Sequence, residues 1–263
     1  MSQMNAALLG AIAGGTIFIG LPVARLRGLR RGTQGFLNAV ATGVLVFLLF
    51  DILSHAAAPV EKAMLALRQP AGGAAFPALA VIFAAGIGVG LLTLVYFNGH
   101  ILSRFRHAQG SPPPRALALM IATGLGFHNL SEGLAIGQSA ATGAIAFAGV
   151  LVIGFALHNI TEGFGIAAPM STEPTAPSWA FLLGAGLIGG GPTFVGTLIG
   201  YVAVSDYVYV LFLAVAAGAL IYILNELFSL GKRLNSPPAM GWGLVVGFLA
   251  AYSTDLFLTF LAG

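Results

Sequence analysis

Two short segments share a six-residue polar pattern that is suited to binding a metal ion. The pattern His-Asn-x-x-Glu-Gly begins at His128 and again at His158, each time in the middle of a long apolar run. In an α-helix, the His and the Glu four residues later lie one turn apart on the same face, with the Asn close beside them. Two such helices facing each other would bring two imidazoles and two carboxylates to one point.

These four side chains are typical ligands of a transition-metal ion. Two ionised glutamates balance the charge of one divalent cation, and two neutral imidazoles complete a four-coordinate shell that suits Zn²⁺. Fe²⁺, Mn²⁺, Co²⁺ and Cd²⁺ can use the same groups, whereas Ca²⁺ and Mg²⁺ prefer oxygen ligands alone. One histidine by itself would favour a hydrogen bond between helices, but the repeated set favours a metal. The predicted ligands are His128, Glu132, His158 and Glu162.

The remaining motif residues are interpreted separately. Asn129 and Asn159 are either ligands of an adjacent metal position or hydrogen-bond donors to the carboxylates. Gly133 and Gly163 are interpreted as positions of close helix packing, because small residues let helix backbones approach each other.

The composition predicts an integral membrane protein. Of the 263 residues, 58% are hydrophobic and 7% are charged, whereas soluble domains carry roughly 25% charged residues. Apolar runs of about 20 residues recur, as membrane-spanning helices require. The absence of cysteine excludes disulfides and thiolate metal ligands. The basic residues lie in short loops between the apolar runs, so the net charge of +3 indicates membrane orientation and not nucleic-acid binding.

We therefore predict one all-α domain over residues 1–263, with eight membrane-spanning helices. The first span is interpreted as a retained helix and not a signal peptide, and a short interfacial helix is expected at Val60–Leu67. The predicted spans cover residues 4–24, 35–55, 77–102, 115–138, 143–170, 178–204, 207–230 and 241–262. Nine of the eleven Lys and Arg residues fall in the loops after spans 1, 3, 5 and 7, which predicts that both termini lie outside the cytoplasm.

Several other polar residues fall inside the predicted spans. A carboxylate at the bilayer centre costs about 2.5–3.5 kcal/mol, and no Lys or Arg lies at mid-span to pair with one. Asp51 and His55 form either an inlet relay for cations or a pair with each other. Asn225 and Glu226, near the inner end of span 7, form an exit relay or an interfacial acidic site. Asp255 is expected to pair with a neighbouring hydroxyl of Ser253 or Thr254 and receives no transport role, and His100 and His107 are assigned to a cytoplasmic loop.

The sixth span contains three glycines followed by a proline, Gly189–Pro192. This run indicates either a packing kink or a broken helix that lines a cavity.

Taken together, the paired motif and the eight spans resemble the ZIP family of zinc and iron transporters. The run Gly218–Tyr222 before Asn225 and Glu226 is similar to the seventh-span pattern of bacterial members. The resemblance implies a metal site between spans 4 and 5, uptake toward the cytoplasm, an elevator-like sliding of one helix group against another, and a homodimer.

Three positions depart from the family pattern. Some members carry a Glu where this chain has Gly191, and that Glu supports a second metal ion, so we predict one metal here and not a binuclear site. A second-span Met that contacts metal in some members corresponds to Leu45, and an Asp-Glu pair in the seventh span corresponds to Asn225 and Glu226.

The sequence thus predicts a multi-pass plasma-membrane transporter that takes up Zn²⁺ as cargo, with no cofactor. Its expected partners are divalent metal ions, the lipid bilayer and a second copy of the chain. The alternative is a membrane-embedded metal-dependent hydrolase, which would need an open coordination position and a separate general base. The sequence His-Glu-x-x-His is absent, so an enzyme is not expected. A metal sensor is disfavoured because nearly the whole chain is predicted to lie in the bilayer.

Overall fold

The computed structural model is all-helical over the residues it describes. These are residues 1–69, 73–96, 98–99, 113–203 and 205–262, without the side chains of 258, 261 and 262. The helices are α1 (Gln3–Gly15), α2 (Ile17–Gly20), α3 (Arg31–Ala66), α4 (Phe76–Tyr96), α5 (Pro114–Ala141), α6 (Ile145–Ala167), α7 (Trp179–Val202), α8 (Asp206–Leu234) and α9 (Pro237–Ala262), with short 3₁₀ turns at Leu21–Arg25 and Ala168–Thr172.

Seven segments in the described part of the chain are long and apolar enough to cross a membrane. They are Gln3–Arg25, Arg31–Ala66, Phe76–Tyr96, Ile145–Thr172, Trp179–Val202, Asp206–Leu234 and Pro237–Phe257. Helix α5 is 28 residues long, about 42 Å at 1.5 Å per residue, and it corresponds to the remaining predicted span. Helix α5 is not among these seven segments because its polar motif residues lower its mean hydropathy. The chain is therefore a multi-pass membrane protein, while the eight-span count and the side on which the termini lie stay predictions.

One local prediction was wrong, and one of two alternatives left open by the sequence is excluded. The expected interfacial helix Val60–Leu67 is not separate, because α3 continues through Pro59 to Ala66. The broken-helix interpretation of Gly189–Pro192 also fails, because α7 is continuous through Pro192. A proline removes only one helical hydrogen bond, and at Pro192 this leaves the carbonyl of Ile188 free to face α5 at Gly126.

The helices pack as two groups. The motif group consists of α1, α2, α5, α6 and α7, and the companion group consists of α3, α4, α8 and α9. Each group packs chiefly within itself, and the two meet mainly where α5 contacts α8, α6 contacts α9 and α3 contacts α6. Large side chains buried completely at this junction include Leu45, Leu125, Ile166 and Leu220. The motif residues therefore lie in one tightly packed group that faces a second group.

Glycines bring the motif helices into backbone contact with their neighbours. A Cβ added at Gly133 of α5 would collide with the carbonyl oxygen of Thr193 in α7, and one at Gly163 of α6 would collide with the carbonyl oxygen of Ile17 in α2. The prediction that these two glycines serve packing is confirmed. Close backbone approach of this kind brings α5 and α6 against α7 and α2 without a layer of side chains between them.

The contact at Gly163 provides a test of this packing. Gly163→Ala is expected to lower the free energy of unfolding by about 1–3 kcal/mol, because the added methyl group overpacks a backbone contact. The measurement is thermal unfolding of the purified protein in detergent. Gly149→Ala in the same helix is the matched control, since nothing lies within 4 Å of a Cβ at that position. Equal melting temperatures for the two variants would contradict the packing assignment.

Candidate metal site

The two motifs lie at the same depth because of how α5 and α6 are joined. His128 lies thirteen residues before the end of α5 at Ala141, and His158 lies thirteen residues after the start of α6 at Ile145. Gly143 adopts a φ of 82° in the tight turn between the helices, a conformation that glycine takes without strain. Each histidine is therefore about 20 Å from the turn. The two imidazole ring centres are 5.9 Å apart.

Three of the four predicted metal ligands each place one nitrogen or oxygen atom close to those of the other two. One atom each of His128, His158 and Glu162 falls within 4.8 Å of the other two, and all three residues are buried. The His128 Nε2 atom is 3.9 Å from Glu162 Oε1. Ligand atoms around a tetrahedral Zn²⁺ are about 3.4 Å apart, so small side-chain rotations would bring these atoms to binding distance.

Glu132, the fourth predicted ligand, lies next to this trio but is not a member of it. Its Oε1 atom is 3.4 Å from His128 Nε2, and its Oε2 atom accepts a hydrogen bond of 3.3 Å from Asn159 Nδ2. The residue is 4% exposed. A carboxylate this close to the shared histidine is within reach of a metal ion bound between the helices.

Each motif asparagine donates to the glutamate of the other helix. Asn129 Nδ2 on α5 donates to Glu162 Oε2 on α6 at 2.7 Å, and Asn159 on α6 donates to Glu132 on α5 in return. Asn129 also donates to Asn159 Oδ1 at 2.8 Å and to the carbonyl oxygen of Gly189 at 3.1 Å. Both amide nitrogens are thus engaged with the carboxylates, and Asn159 Oδ1 is occupied as well, but Asn129 Oδ1 is buried without a partner, so the metal-ligand interpretation of Asn129 stays a prediction.

Several buried polar atoms of the site have no hydrogen-bond partner among the described residues. On the motif helices they are both ring nitrogens of His128, Nε2 of His158, Oε1 of Glu162, Oδ1 of Asn129 and the hydroxyl oxygen of Ser131. A buried polar atom left unpaired costs about 1–3 kcal/mol. Because asparagine holds one oxygen of Glu162, the free oxygen and the free histidine nitrogens are the atoms that a cation would bind. The donor set therefore fits a transition-metal ion.

A cavity of about 450 Å³ leads to these atoms from one side. On the motif helices its lining starts at His128 and His158 and continues only toward the α5–α6 turn. The companion group lines the cavity with polar and aromatic side chains. The main ones are the predicted inlet residues Asp51 and His55, together with Tyr209 and Asp255. The site thus forms the floor of a cavity that both helix groups enclose.

Asp51 and His55 line the cavity and also contact each other. His55 Nδ1 is 3.2 Å from Asp51 Oδ1, and the side chain of His55 is 58% exposed. The expected pairing of Asp255 with Ser253 or Thr254 was wrong. Both hydroxyls donate instead to carbonyl oxygens of α9, and Asp255 lines the cavity. No sequence signal placed Asp255 at the cavity, because α9 is largely apolar and its consecutive polar residues Ser253, Thr254 and Asp255 mark no single face.

The predicted exit residues lie away from the cavity. Glu226 Oε1 accepts a hydrogen bond of 2.9 Å from the Tyr222 hydroxyl, which in turn accepts one from Asn98 Nδ2. Asn225 is exposed. Buried leucine and isoleucine side chains on α3, α5, α6 and α8 fill the space between the site and this end of the bundle. His100 and His107 lie outside the described residues.

The comparison with known proteins agrees with this geometry. Residues 106–230 match the family described as ZIP Zinc transporter, a stretch that contains both motifs, Gly191, Asn225 and Glu226 but not Asp51 or His55. No curated protein matches the chain. Over residues 106–230, just under half of the chain, the protein is thus similar to the ZIP zinc transporter family, whose members are divalent-metal transporters.

Proposed function

We propose that this protein takes up a divalent transition-metal ion, preferentially Zn²⁺, and binds it between α5 and α6. The ligands are His128, Glu132, His158 and Glu162. One observation carries the proposal: buried histidine and glutamate atoms without hydrogen-bond partners converge at the floor of a cavity. A nitrogen and oxygen donor set suits Zn²⁺ and related ions better than Ca²⁺ or Mg²⁺. The bound ion is the cargo and not a resident cofactor.

The proposed state is outward-facing. Within the described residues, the basic side chains at the ends remote from the cavity are Arg25, Arg27, Arg30, Arg31, Arg115, Lys232 and Arg233. Only Lys62 and Arg68 lie at the cavity end. Since basic residues concentrate on the cytoplasmic side, the cavity would open to the outside, and the apolar core would close the route inward.

The proposed transport step is a sliding of the motif group against the companion group. This is supported by the way each group packs chiefly within itself and by the large apolar side chains at the junction, which make few directional bonds. A cation would pass Asp51 and His55, lose water and bind at the floor of the cavity. After the shift it would leave near Asn225 and Glu226. Protonation of the ligands would favour release, because metal ligands must be deprotonated to bind.

The stoichiometry proposed is one metal ion per chain. Gly191 lies on α7, two residues after Gly189, whose carbonyl oxygen accepts a hydrogen bond from Asn129, and it offers no ligand. We also propose that the protein is a homodimer, from its resemblance to the family, and that it lies in the plasma membrane, from that resemblance and its apolar spans.

Replacing either glutamate tests the ligand assignment. Glu132→Gln and Glu162→Gln are each expected to reduce Zn²⁺ influx into proteoliposomes more than about tenfold, because the anionic ligand that balances the cation is lost. Influx is read from a fluorescent chelator trapped inside. Glu61→Gln, the same change at an exposed glutamate, is the control and should transport normally. Normal influx in both site variants would refute the assignment.

The asparagine bonds lead to a separate expectation. Asn129→Ala should weaken Zn²⁺ binding about 10- to 100-fold, because groups that orient metal ligands typically contribute that much to affinity. Isothermal titration in detergent measures the dissociation constant. Asn5→Ala on the exposed surface of α1 serves as the control. An unchanged affinity in Asn129→Ala would mean that the crossed hydrogen bonds do not position the carboxylates.

A gain-of-function change tests the stoichiometry. Gly191→Glu is expected to raise the bound metal from about one to about two ions per chain, since a carboxylate beside the site can support a second cation. A side chain has room there, because nothing lies within 4 Å of a Cβ at Gly191. Elemental analysis of purified protein gives the ratio, with Gly191→Gln as the uncharged control. A ratio that stays at one in the glutamate variant would contradict the role given to Gly191, and a ratio of two in the parent protein would contradict a single site.

A further inference from the structure

An apolar groove lies on the surface between the end of the first span and the start of α7. It measures about 400 Å³, and its walls include Phe18, Leu21 and Pro22 on one side and Trp179 and Leu183 on the other. Trp179 is 61% exposed and Leu183 is 54% exposed, so the groove lies at the outer surface of the bundle. The side chains that line it are hydrocarbon and aromatic, which suits an acyl chain.

A fixed cation lies at the Trp179 end of this groove. The Arg25 guanidinium stacks 4.6 Å from the centre of the Trp179 ring, and its Nη1 atom donates to the carbonyl oxygen of Pro177 at 2.5 Å. These contacts hold the side chain in place while leaving other N–H donors of the guanidinium for a ligand. A guanidinium matches the paired oxygens of a phosphate group.

A second arginine lies against the segment that connects α6 to α7, which also contains Pro177. Arg27 donates to the carbonyl oxygens of Leu26 and Thr175, and its Nε atom is buried with no hydrogen-bond partner. Arg30 and Arg31 follow and are both exposed. Four arginines therefore lie within seven residues of sequence, beginning at the groove.

This positive charge has no carboxylate to balance it among the residues that the structure describes. The ion pairs found there involve His55, His128 and Arg115, and none involves Arg25, Arg27, Arg30 or Arg31. The acid on the connecting segment, Glu173, is bound to Arg115 at 2.9 Å. An apolar groove next to unbalanced positive charge is complementary to a molecule with a hydrocarbon chain and an anionic head.

We propose that this groove binds an anionic phospholipid. One acyl chain lies along Phe18, Leu21 and Leu183, and the phosphate lies beside Arg25 and Arg27. A zwitterionic lipid could fill the groove but would leave the arginine charge unbalanced, whereas anionic headgroups are attracted to basic residues at the membrane surface. The lipid would contact α2 and α7, which belong to the motif group, and would therefore move with the metal-binding helices. This inference does not depend on the metal that is transported.

The position of Trp179 makes the proposal testable, because the chain has only two tryptophans. In a Trp242→Phe background, the protein is reconstituted into phosphatidylcholine vesicles containing a small fraction of either brominated phosphatidylglycerol or brominated phosphatidylcholine. Bromine in the acyl chain quenches tryptophan fluorescence on contact. Phosphatidylglycerol is expected to reach half-quenching at about 25-fold lower mole fraction, as expected for two basic contacts, from Arg25 and Arg27, at about 1 kcal/mol each.

Two variants of the Trp242→Phe protein test whether these arginines cause the preference for the anionic lipid. The triple change Arg27→Gln, Arg30→Gln, Arg31→Gln should abolish most of the preference while retaining the Arg25 stacking on Trp179. The double change Lys232→Gln, Arg233→Gln removes basic charge from the end of α8 and should leave the preference intact. Equal quenching by the two lipids in the parent protein would overturn the proposal. A preference that survives the triple change, or one lost equally in the double variant, would overturn the assignment to these arginines.

Discussion

The structure depends on how two carboxylates are accommodated inside an apolar helix bundle. Among the residues that the structure describes, neither Glu132 nor Glu162 forms an ion pair with a lysine or arginine, and both are almost completely buried. Crossed hydrogen bonds from Asn129 and Asn159 hold one oxygen of each carboxylate. Hydrogen bonds alone do not compensate a buried charge. We propose that the unbalanced charge, together with the free histidine nitrogens, makes the interior bind a cation, and this requirement would explain the repeated motif.

Close helix packing makes this arrangement possible. The crossed bonds require α5 and α6 to keep a fixed register, and the short turn at Gly143 and the glycine contacts with α2 and α7 supply it. Gly189 takes part directly, because its carbonyl oxygen accepts a hydrogen bond from Asn129. The motif helices, their supporting helices and the site therefore form a single packed group. A cavity on one side and an apolar core on the other give that group access to one face of the membrane in this conformation.

The sequence was most informative where the spacing of residues along a helix determines which side chains lie at the same depth. The pattern beginning at His128 and His158 placed two ligand sets at equal depth, since each lies the same distance from one turn, and the match over residues 106–230 supports the family that this pattern suggested. The continuity of α7 was not predictable, because a glycine run before Pro192 is compatible with either a kink or a break. Asp255 was assigned no role, because adjacent polar residues on an otherwise apolar helix do not indicate which face meets the cavity.

Both motif histidines are proposed to bind the same ion, and X-ray absorption at the zinc edge measures how many imidazoles surround it. The measurement uses purified protein loaded with one equivalent of Zn²⁺. The account predicts a first shell of nitrogen and oxygen at about 2.0–2.2 Å, with the scattering signature of two imidazoles, reduced to one in His158→Ala. A shell with fewer than two imidazoles in the parent protein, or a spectrum that His158→Ala leaves unchanged, would contradict it.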